Sequence, residues 1–396
     1  MTAIYLDNNA TTRPAPEVLD VMTPYLTDLY GNPSSMHTFG GQVHKKIDEA
    51  RAHVAALINA DPEEIVFTSC GTESDNTAIM SALETSPRKK HLITTRVEHP
   101  AVLNLCRHLG RKGYRTSYLP VNTLGQLEPA ALAAAVDEDT VIVSVMFANN
   151  ETGVIFPVET IASRLHEQGV LFHTDAVQAA GKIPLDVKKT PVHMLTISGH
   201  KLHAPKGVGA LYVRKGTRFH PLIIGGHQEH GRRAGTENVA SIIGFGKAAE
   251  LAKTNLAEEI RYLGRLRDRL EQGLLGSCPN TRVNGDTARR LPNTANISFE
   301  YIEGEAILLR LNEFGICASS GSACTSGSLE PSHVLRAMGV PYTAVHGSIR
   351  FSLSRYNTEK DIDTVLEVMP NIIRELRELS PFGRNISTDN RCQTSE

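Results

Sequence analysis

The chain of 396 residues is poor in several things, and each scarcity removes a class of protein. No apolar run approaches the roughly 20 residues of a membrane span, and the opening MTAIYLDNNATT has neither a basic n-region nor an apolar h-region. A soluble, cytoplasmic protein is expected. Neither sign of charge prevails: 41 basic and 43 acidic residues, well mixed, leave a net charge of −2. That gives no field for nucleic acid or an anionic membrane, so the ligand is expected to be small. Six cysteines (Cys70, Cys106, Cys278, Cys317, Cys324 and Cys392) are too scattered for a disulfide framework, and none forms CxxC. Reduced thiols follow. There are no internal repeats and no low-complexity tracts.

What is present is enough apolar matter, 41% of residues, for a sizeable core, in a chain longer than one core usually serves. From about residue 60 to 215, short runs rich in Val, Ile and Phe (EEIVFTS, HLITTRV, TVIVSVMFA, VLFHTD, HMLTIS) alternate with helical patterns such as PAVLNLCRHLGRKG and PVETIASRLHEQG. This predicts an α/β fold with a mainly parallel sheet covered by helices, and ligands at the carboxyl ends of its strands. Leu256, Ile260, Leu263, Leu266, Leu270 and Leu274 recur at spacings of three and four, an amphipathic helix that joins two domains. Beyond it, NTANISFEY, EGEAILLRLNEFG, GSIRFSLS and TEKDIDTVLEVMPNIIRELREL read as a smaller α+β domain. The expected division is 13–255 for the large domain, 1–12 plus 256–380 for the small one, and a disordered tail over 381–396.

Polar residues gather where the runs end: Gly71-Thr72-Glu73, Glu98-His99, Asn149-Asn150-Glu151, Asp175, and Ser198-Gly199-His200-Lys201. A lysine on the turn leaving a buried strand, with small and imidazole neighbours able to reach a phosphate, is how a protein holds pyridoxal phosphate as a Schiff base. Alone, Lys201 would be a solvated surface residue. Asp175 suits the pyridinium nitrogen of that cofactor, though it also suits the N-cap of a helix running through Ala176–Ala179. Gln178 is placed to donate to the ring oxygen. Gly71 and Thr72 open a helix after a strand, where free N–H groups favour phosphate; with Ser198 and His200 they form a cup. His99, before Pro100 at a helix start, is either structural or an imidazole stacked on the ring and moving protons.

Cys324 lies in the Ser/Gly-rich segment 318–328, which cannot bury itself and is expected to be a mobile loop. A thiol there is a candidate nucleophile, whereas Cys106 and Cys317 read as core. GGHQEHGRR invites zinc through His227 and His230, but the two-residue gap suits no ligand set; Arg232 and Arg233 fit anion or subunit contacts better. Arg350, inside an apolar strand, asks for a carboxylate partner.

Over almost its whole length, from YLDNNATT through GNPSSMH, FTSCGTESDN, MFANNETG, HTDAVQAAGK, SGHKLHAPKGVGALYV and RRAGTEN to SSGSACTSGSLEPSHVLRAMG, the chain resembles the cysteine desulfurases that serve iron–sulfur cluster assembly. RRAGTEN and the short C-terminal region are closer to the NifS type, linked to nitrogenase, than to the housekeeping type. The resemblance implies a class-V, fold-type-I homodimer with a seven-stranded sheet, which uses pyridoxal phosphate to take sulfur from L-cysteine. The products are L-alanine and an enzyme persulfide for an iron–sulfur scaffold or another acceptor protein. It implies Lys201 as the Schiff-base lysine, Asp175 as the pyridinium partner and Gln178 as the contact to the ring oxygen. His99 would stack on the ring, and Gly71, Thr72, Ser198 and His200 would hold the phosphate. Thr236 would reach a phosphate from the opposite subunit, and Asn150 would touch cofactor or substrate. Arg350 would grip the substrate carboxylate and Cys324 would take the sulfur, a transient iron–sulfur ligation by Cys324 staying open. The rival readings are a selenocysteine lyase, an aminotransferase of the same fold, and a noncatalytic sulfur-relay adaptor.

Overall fold

The computed structural model describes residues 3–320 and 330–380. Its strands, in chain order, are β1 Ile4–Tyr5, β2 Ile65–Thr68, β3 His91–Thr95, β4 Arg115–Leu119, β5 Thr140–Ser144, β6 Leu171–Asp175, β7 Met194–Ser198, β8 Gly209–Val213, β9 Thr281–Val283, β10 Thr294–Phe299, β11 Ile316–Cys317 and β12 Ser348–Ser352. Seven of them form one sheet in the order β2-β8-β7-β6-β5-β3-β4, in which β8 is antiparallel to both neighbours and the other pairs are parallel.

The aliphatic runs make central strands because both faces of the sheet are covered. Ile65 and Phe67 enter a core shared with the helices Thr38–Leu57 and Val239–Ser277, while Val66 between them packs with Ile79, Leu83 and Val102 on the other face. The same alternation places Leu195 and Ile197 of β7 on the first face and Met194 on the second. Two strands depart from the expectation. β4 has no apolar run because it is an edge strand whose only buried residue is Leu119. GALYV, outside the runs named above, is the fully buried β8, its glycine at the strand start facing Cys70 and Ile197 too closely for a side chain.

A second core forms around the antiparallel sheet β12-β10-β9, the helices Gly304–Glu313 and Glu359–Leu379, and Leu6. The helix expected from Leu256 begins at Val239 and runs 39 residues, about 58 Å. Its first half lines the large core through Ala240, Phe245, Ala248 and Ala252; its second lines the small core through Leu263, Leu266, Leu270 and Leu274. The first half lacks an amphipathic stripe because small residues let neighbours close in from several sides. A Cβ on Gly246 would lie 2.5 Å from Ala50 Cα. Among the described residues, no helix is long and apolar enough to cross a membrane.

Candidate active site

Every strand of the large sheet except β8 runs in the same direction, so the carboxyl ends of β2, β6 and β7 meet at one edge, and the polar residues after them share one cleft of about 290 Å³. Gly71, Thr72, His99, Asn150, Asp175, Gln178, Ser198, His200, Lys201 and Arg350 all line it. Thr236 does not; it is exposed elsewhere on the chain. Cys324 and the tail from residue 381 lie outside the described residues.

Lys201 closes a single 3-10 turn, Gly199–Lys201, that follows β7 directly. Its Nζ donates to the carbonyls of Asn9 (2.5 Å) and Ala10 (2.6 Å), so the amine is aimed across the cleft mouth by the N-terminal segment. Beside it, His200 Nδ1 meets Thr11 Oγ1 at 3.1 Å. Burial, reinforced by Lys201, lowers the His200 pKa to about 4, so the ring is neutral.

Asp175 ends β6 and is 6% exposed. Its Oδ1 accepts from Val177 N–H at 2.9 Å, but no helix follows: residues 177–182 form consecutive turns. Gly181, at φ +71°, keeps any helix from continuing, and a Cβ there would sit 2.4 Å from Leu202 Cδ2. Burial raises the Asp175 pKa, while His99, the Val177 N–H and Lys201 oppose the rise. A cation brought against this carboxylate would restore its charge.

His99 is the N-cap of the helix Pro100–Arg111, its Nδ1 accepting from Ala101 N–H at 3.2 Å. That bond places the proton of the neutral ring on Nε2. Burial lowers its pKa, as Lys201 does, while Asp175 pulls the other way. The structural role is therefore real, and His99 lines the cleft as well.

The helix Gly71–Thr85 presents its first N–H groups to the cleft with no side-chain cap from Cys70. Next to them the Ser198 hydroxyl, in a residue 2% exposed, has no hydrogen-bond partner. A buried hydroxyl without a partner beside free helix N–H groups is suited to a phosphate. Met146, Ala148 and Val177 supply apolar walls for an aromatic ring. These residues fit pyridoxal phosphate.

Arg350, 3% exposed, finds the expected carboxylate in Asp7 (2.6 Å) and donates to the Asn150 carbonyl at 3.1 Å, its Nε keeping no partner. Glu73, Glu98, Asn149 and Glu151, from the same strand-end clusters, hold the frame instead of lining the cleft. Glu73 pairs with Arg233 at 2.9 Å, Glu98 accepts from Thr95 Oγ1 and Met146 N–H, Asn149 donates to Val97 O, and Glu151 accepts from Ser332 Oγ. Arg233 thus has an internal partner, and Arg232 donates to Ile65 O at 3.3 Å. Of the two cysteines expected in the core, Cys106 is buried and its thiol pushed up to about 12, whereas Cys317 is partly exposed.

Several cleft residues carry no obvious sequence signal. Asn9 and Ala10 contribute carbonyls, and Cys70 lines the cleft ahead of Gly71. Asp75, 1% exposed, lies 3.6 Å from His173. They are not an ion pair: burial, with Asp175 adding repulsion, raises the Asp75 pKa well above the carboxylate range, and burial lowers His173 to about 3. Lys182 reaches Gln178 and Asn9 from behind.

The aminotransferase class-V pattern matches residues 4–365. A cysteine desulfurase of Trichormus azollae is 65% identical over 382 residues, 96% of each chain. The cysteine desulfurase NifS of Azotobacter vinelandii is 58% identical over 383 residues, 96% of this chain and 95% of that one. Among solved structures, a NifS-like protein superposes with a TM-score of 0.89 at 40% identity, covering 95% of this chain and all of the other. A NifS-like protein from Rickettsia africae gives 0.84 at 33% identity, covering 93% and 99%. With its sheet order, cleft and full-length likeness in agreement, the chain belongs to the class-V aminotransferase family, among the NifS-like cysteine desulfurases.

Proposed function

We propose that the cleft holds pyridoxal phosphate on Lys201 and that the protein is a cysteine desulfurase. It converts L-cysteine and the Cys324 thiol to L-alanine and a Cys324 persulfide, for delivery to iron–sulfur cluster assembly, nitrogenase clusters included. The observation that carries the reading is the convergence in one cleft of the Lys201 amine, the buried Asp175 carboxylate and the unpartnered Ser198 hydroxyl at a helix N-terminus.

When bound, the cofactor supplies an electron sink for charge developing on the substrate's α-carbon. Asp175 would pair its carboxylate with the ring nitrogen, and Gly71, Thr72, Ser198 and His200 would bind the phosphate. Arg350, steadied by Asp7 and the Asn150 carbonyl, orients the substrate carboxylate with its remaining N–H groups. Lys201 Nζ, once free of the Asn9 and Ala10 carbonyls, takes the α-proton and returns it. His99 Nε2 is the neighbouring position that holds or gives a proton, since Nδ1 is committed to Ala101.

Cys324, as thiolate, attacks the substrate sulfur: the S–S bond forms while the Cβ–S bond breaks, its electron pair leaving on carbon, which is then protonated to alanine. Both ends of the segment that carries Cys324 are fastened near the cleft. Ser319 pairs with Arg350 through the backbone, and His333 Nε2 meets the Glu98 carbonyl at 3.0 Å. A second copy of the chain, bringing Thr236 to the phosphate, belongs to the same proposal.

Incubation with L-cysteine and a reductant tests it. Alanine and sulfide are expected in equal yield from the wild type, and Cys324→Ala is expected to keep cofactor and cysteine binding while releasing no sulfide. Normal turnover by Cys324→Ala, or alanine without sulfide or persulfide, would overturn the assignment.

A further inference from the structure

Lys182 closes the HTDAVQAAGK block, and the chemistry assigned to Lys201, Asp175 and His99 makes no use of it. Its Nζ donates to Gln178 Oε1 at 2.8 Å and to Asn9 Oδ1 at 3.3 Å. The other end of the Gln178 carboxamide, Nε2, lies 3.0 Å from the Asn9 carbonyl, the same oxygen that Lys201 Nζ approaches at 2.5 Å. One carboxamide and one peptide carbonyl thus link the two lysines.

A carboxamide reverses with almost no change of shape, exchanging an acceptor for two donors. As an ammonium, Lys182 removes that freedom, because a donor end turned toward it would leave donor against donor. The NH2 end is therefore held toward Asn9 and the cleft. Asn9 is fixed in the same way: its Oδ1 also accepts from Asn293 Nδ2 at 3.1 Å.

Charged and titratable groups flank Lys182 from the cleft and from behind. Lys201 and Arg350 face it from the cleft, with His200 and His203 on the turn after β7. Glu259 and Arg355 line a cavity of about 20 Å³ behind it, which Lys182, Lys201 and His203 also line; that is room for about one water. Desolvation, with repulsion from Lys201 and Arg350, lowers the Lys182 pKa to about 7. An anion in that corner of the cleft would hold the ammonium form.

We propose that Lys182 is a positioning residue: it locks the Gln178 carboxamide with its N–H face toward the ring oxygen of the cofactor and lends positive charge to that oxygen and to the nitrogen of Lys201. This rests on the pyridoxal phosphate reading, and the test separates the two. The visible absorption band of the holoenzyme is titrated against pH, and cofactor retention is measured after gel filtration. If the wild type has no visible band that Lys201→Ala abolishes, the cofactor reading fails and this proposal falls with it.

If the wild-type band is present, Lys182→Met is expected to raise its titration midpoint by about one pH unit, because a nearby cation no longer favours loss of the proton on Lys201. Retention should fall with it. Lys182→Arg, which keeps the charge and the donors, is expected to titrate close to the wild type. Should Lys182→Met not fold, Lys182→Gln, uncharged but polar, is expected to show the same upward shift. A wild-type midpoint in whichever uncharged variant folds overturns the proposal, even if thermal stability drops, since that pattern belongs to a purely structural lysine.

Discussion

Replacing Glu229 by Gln is expected to destabilise the large domain and to loosen the cleft. Glu229 lies in the loop GGHQEHGRR and is held at φ 49°, next to His230 at 57°, two non-glycine residues in the left-handed region. Such conformations cost on the order of 1–3 kcal/mol each and persist only where the surroundings enforce them. Here the enforcement is a buried two-pronged pair: Arg51 Nη1 and Nη2 meet the Glu229 carboxylate at 2.6 and 2.8 Å, and the same carboxylate accepts the N–H of Phe67 in β2 at 2.8 Å. The two side chains are 8% and 3% exposed.

Removing one partner leaves a buried guanidinium charge uncompensated, a loss of about 3–5 kcal/mol. At roughly 2 °C per kcal/mol for a long chain, the thermal midpoint should fall by about 6–10 °C. The double variant Arg51→Met/Glu229→Gln removes the stranded charge and should fall by clearly less than the two single drops added together. Calorimetry on the four proteins makes the comparison. A Glu229→Gln midpoint within about 2 °C of the wild type, or drops that simply add, would refute the reasoning. The cleft should register the change, since the loop continues to Arg233, which holds Glu73 in the first turn of the helix Gly71–Thr85.

His173 is neutral when folded, with a pKa lowered from 6.5 to about 3 by burial, so the unfolded chain binds the extra proton between those values and stability falls on acidification below pH 6.5. The loss is on the order of 4 kcal/mol by pH 3, and His173→Gln should flatten the corresponding slope of thermal midpoint against pH. Glu98 acts oppositely: burial raises its pKa from 4.5 to about 8, so its contribution is complete below pH 4.5 and is lost as pH rises through 8; Glu98→Gln should remove that decline, and an unchanged slope would contradict it. Gly246→Ala should lower the thermal midpoint although alanine is the better helix former, because crowding against Ala50 costs about 1–3 kcal/mol against a propensity gain of about 1. Asp175→Ala is expected to lose cofactor on gel filtration, and full retention would remove Asp175 from the role given to it.

The central strands were legible because burial on both faces demands unbroken Val, Ile and Phe, a pattern few other elements need. β4 and the first half of the long helix were not, since an edge strand needs few apolar residues and close helix packing selects Gly and Ala, which carry no period. The turns after Asp175 read as a helix because the bulk of Leu202, which meets Gly181, is remote in sequence. Lys201, Asp175, His99 and Ser198 declared themselves by residue type at strand ends. Asn9 and Ala10 act through backbone carbonyls and touch Lys201 across some 190 residues, so no residue type marks them. Asp75 and Lys182 owe their character to burial, which pairing across the fold creates.

The N-terminal segment that aims Lys201 has a consequence for the order of assembly. Ile4 and Tyr5 pair with Ile316 and Cys317, Leu6 N–H donates to Cys317 O, and Asn8 N–H donates to Ser352 O. Residues 4–8 therefore wait for partners more than 300 positions further along the chain before they can settle. Until then the carbonyls of Asn9 and Ala10 have no fixed place, and the lysine amine has no restraint from them. A chain with its central sheet complete but residues 4–10 unseated would lack an aligned amine, so competence for chemistry waits on that long-range pairing.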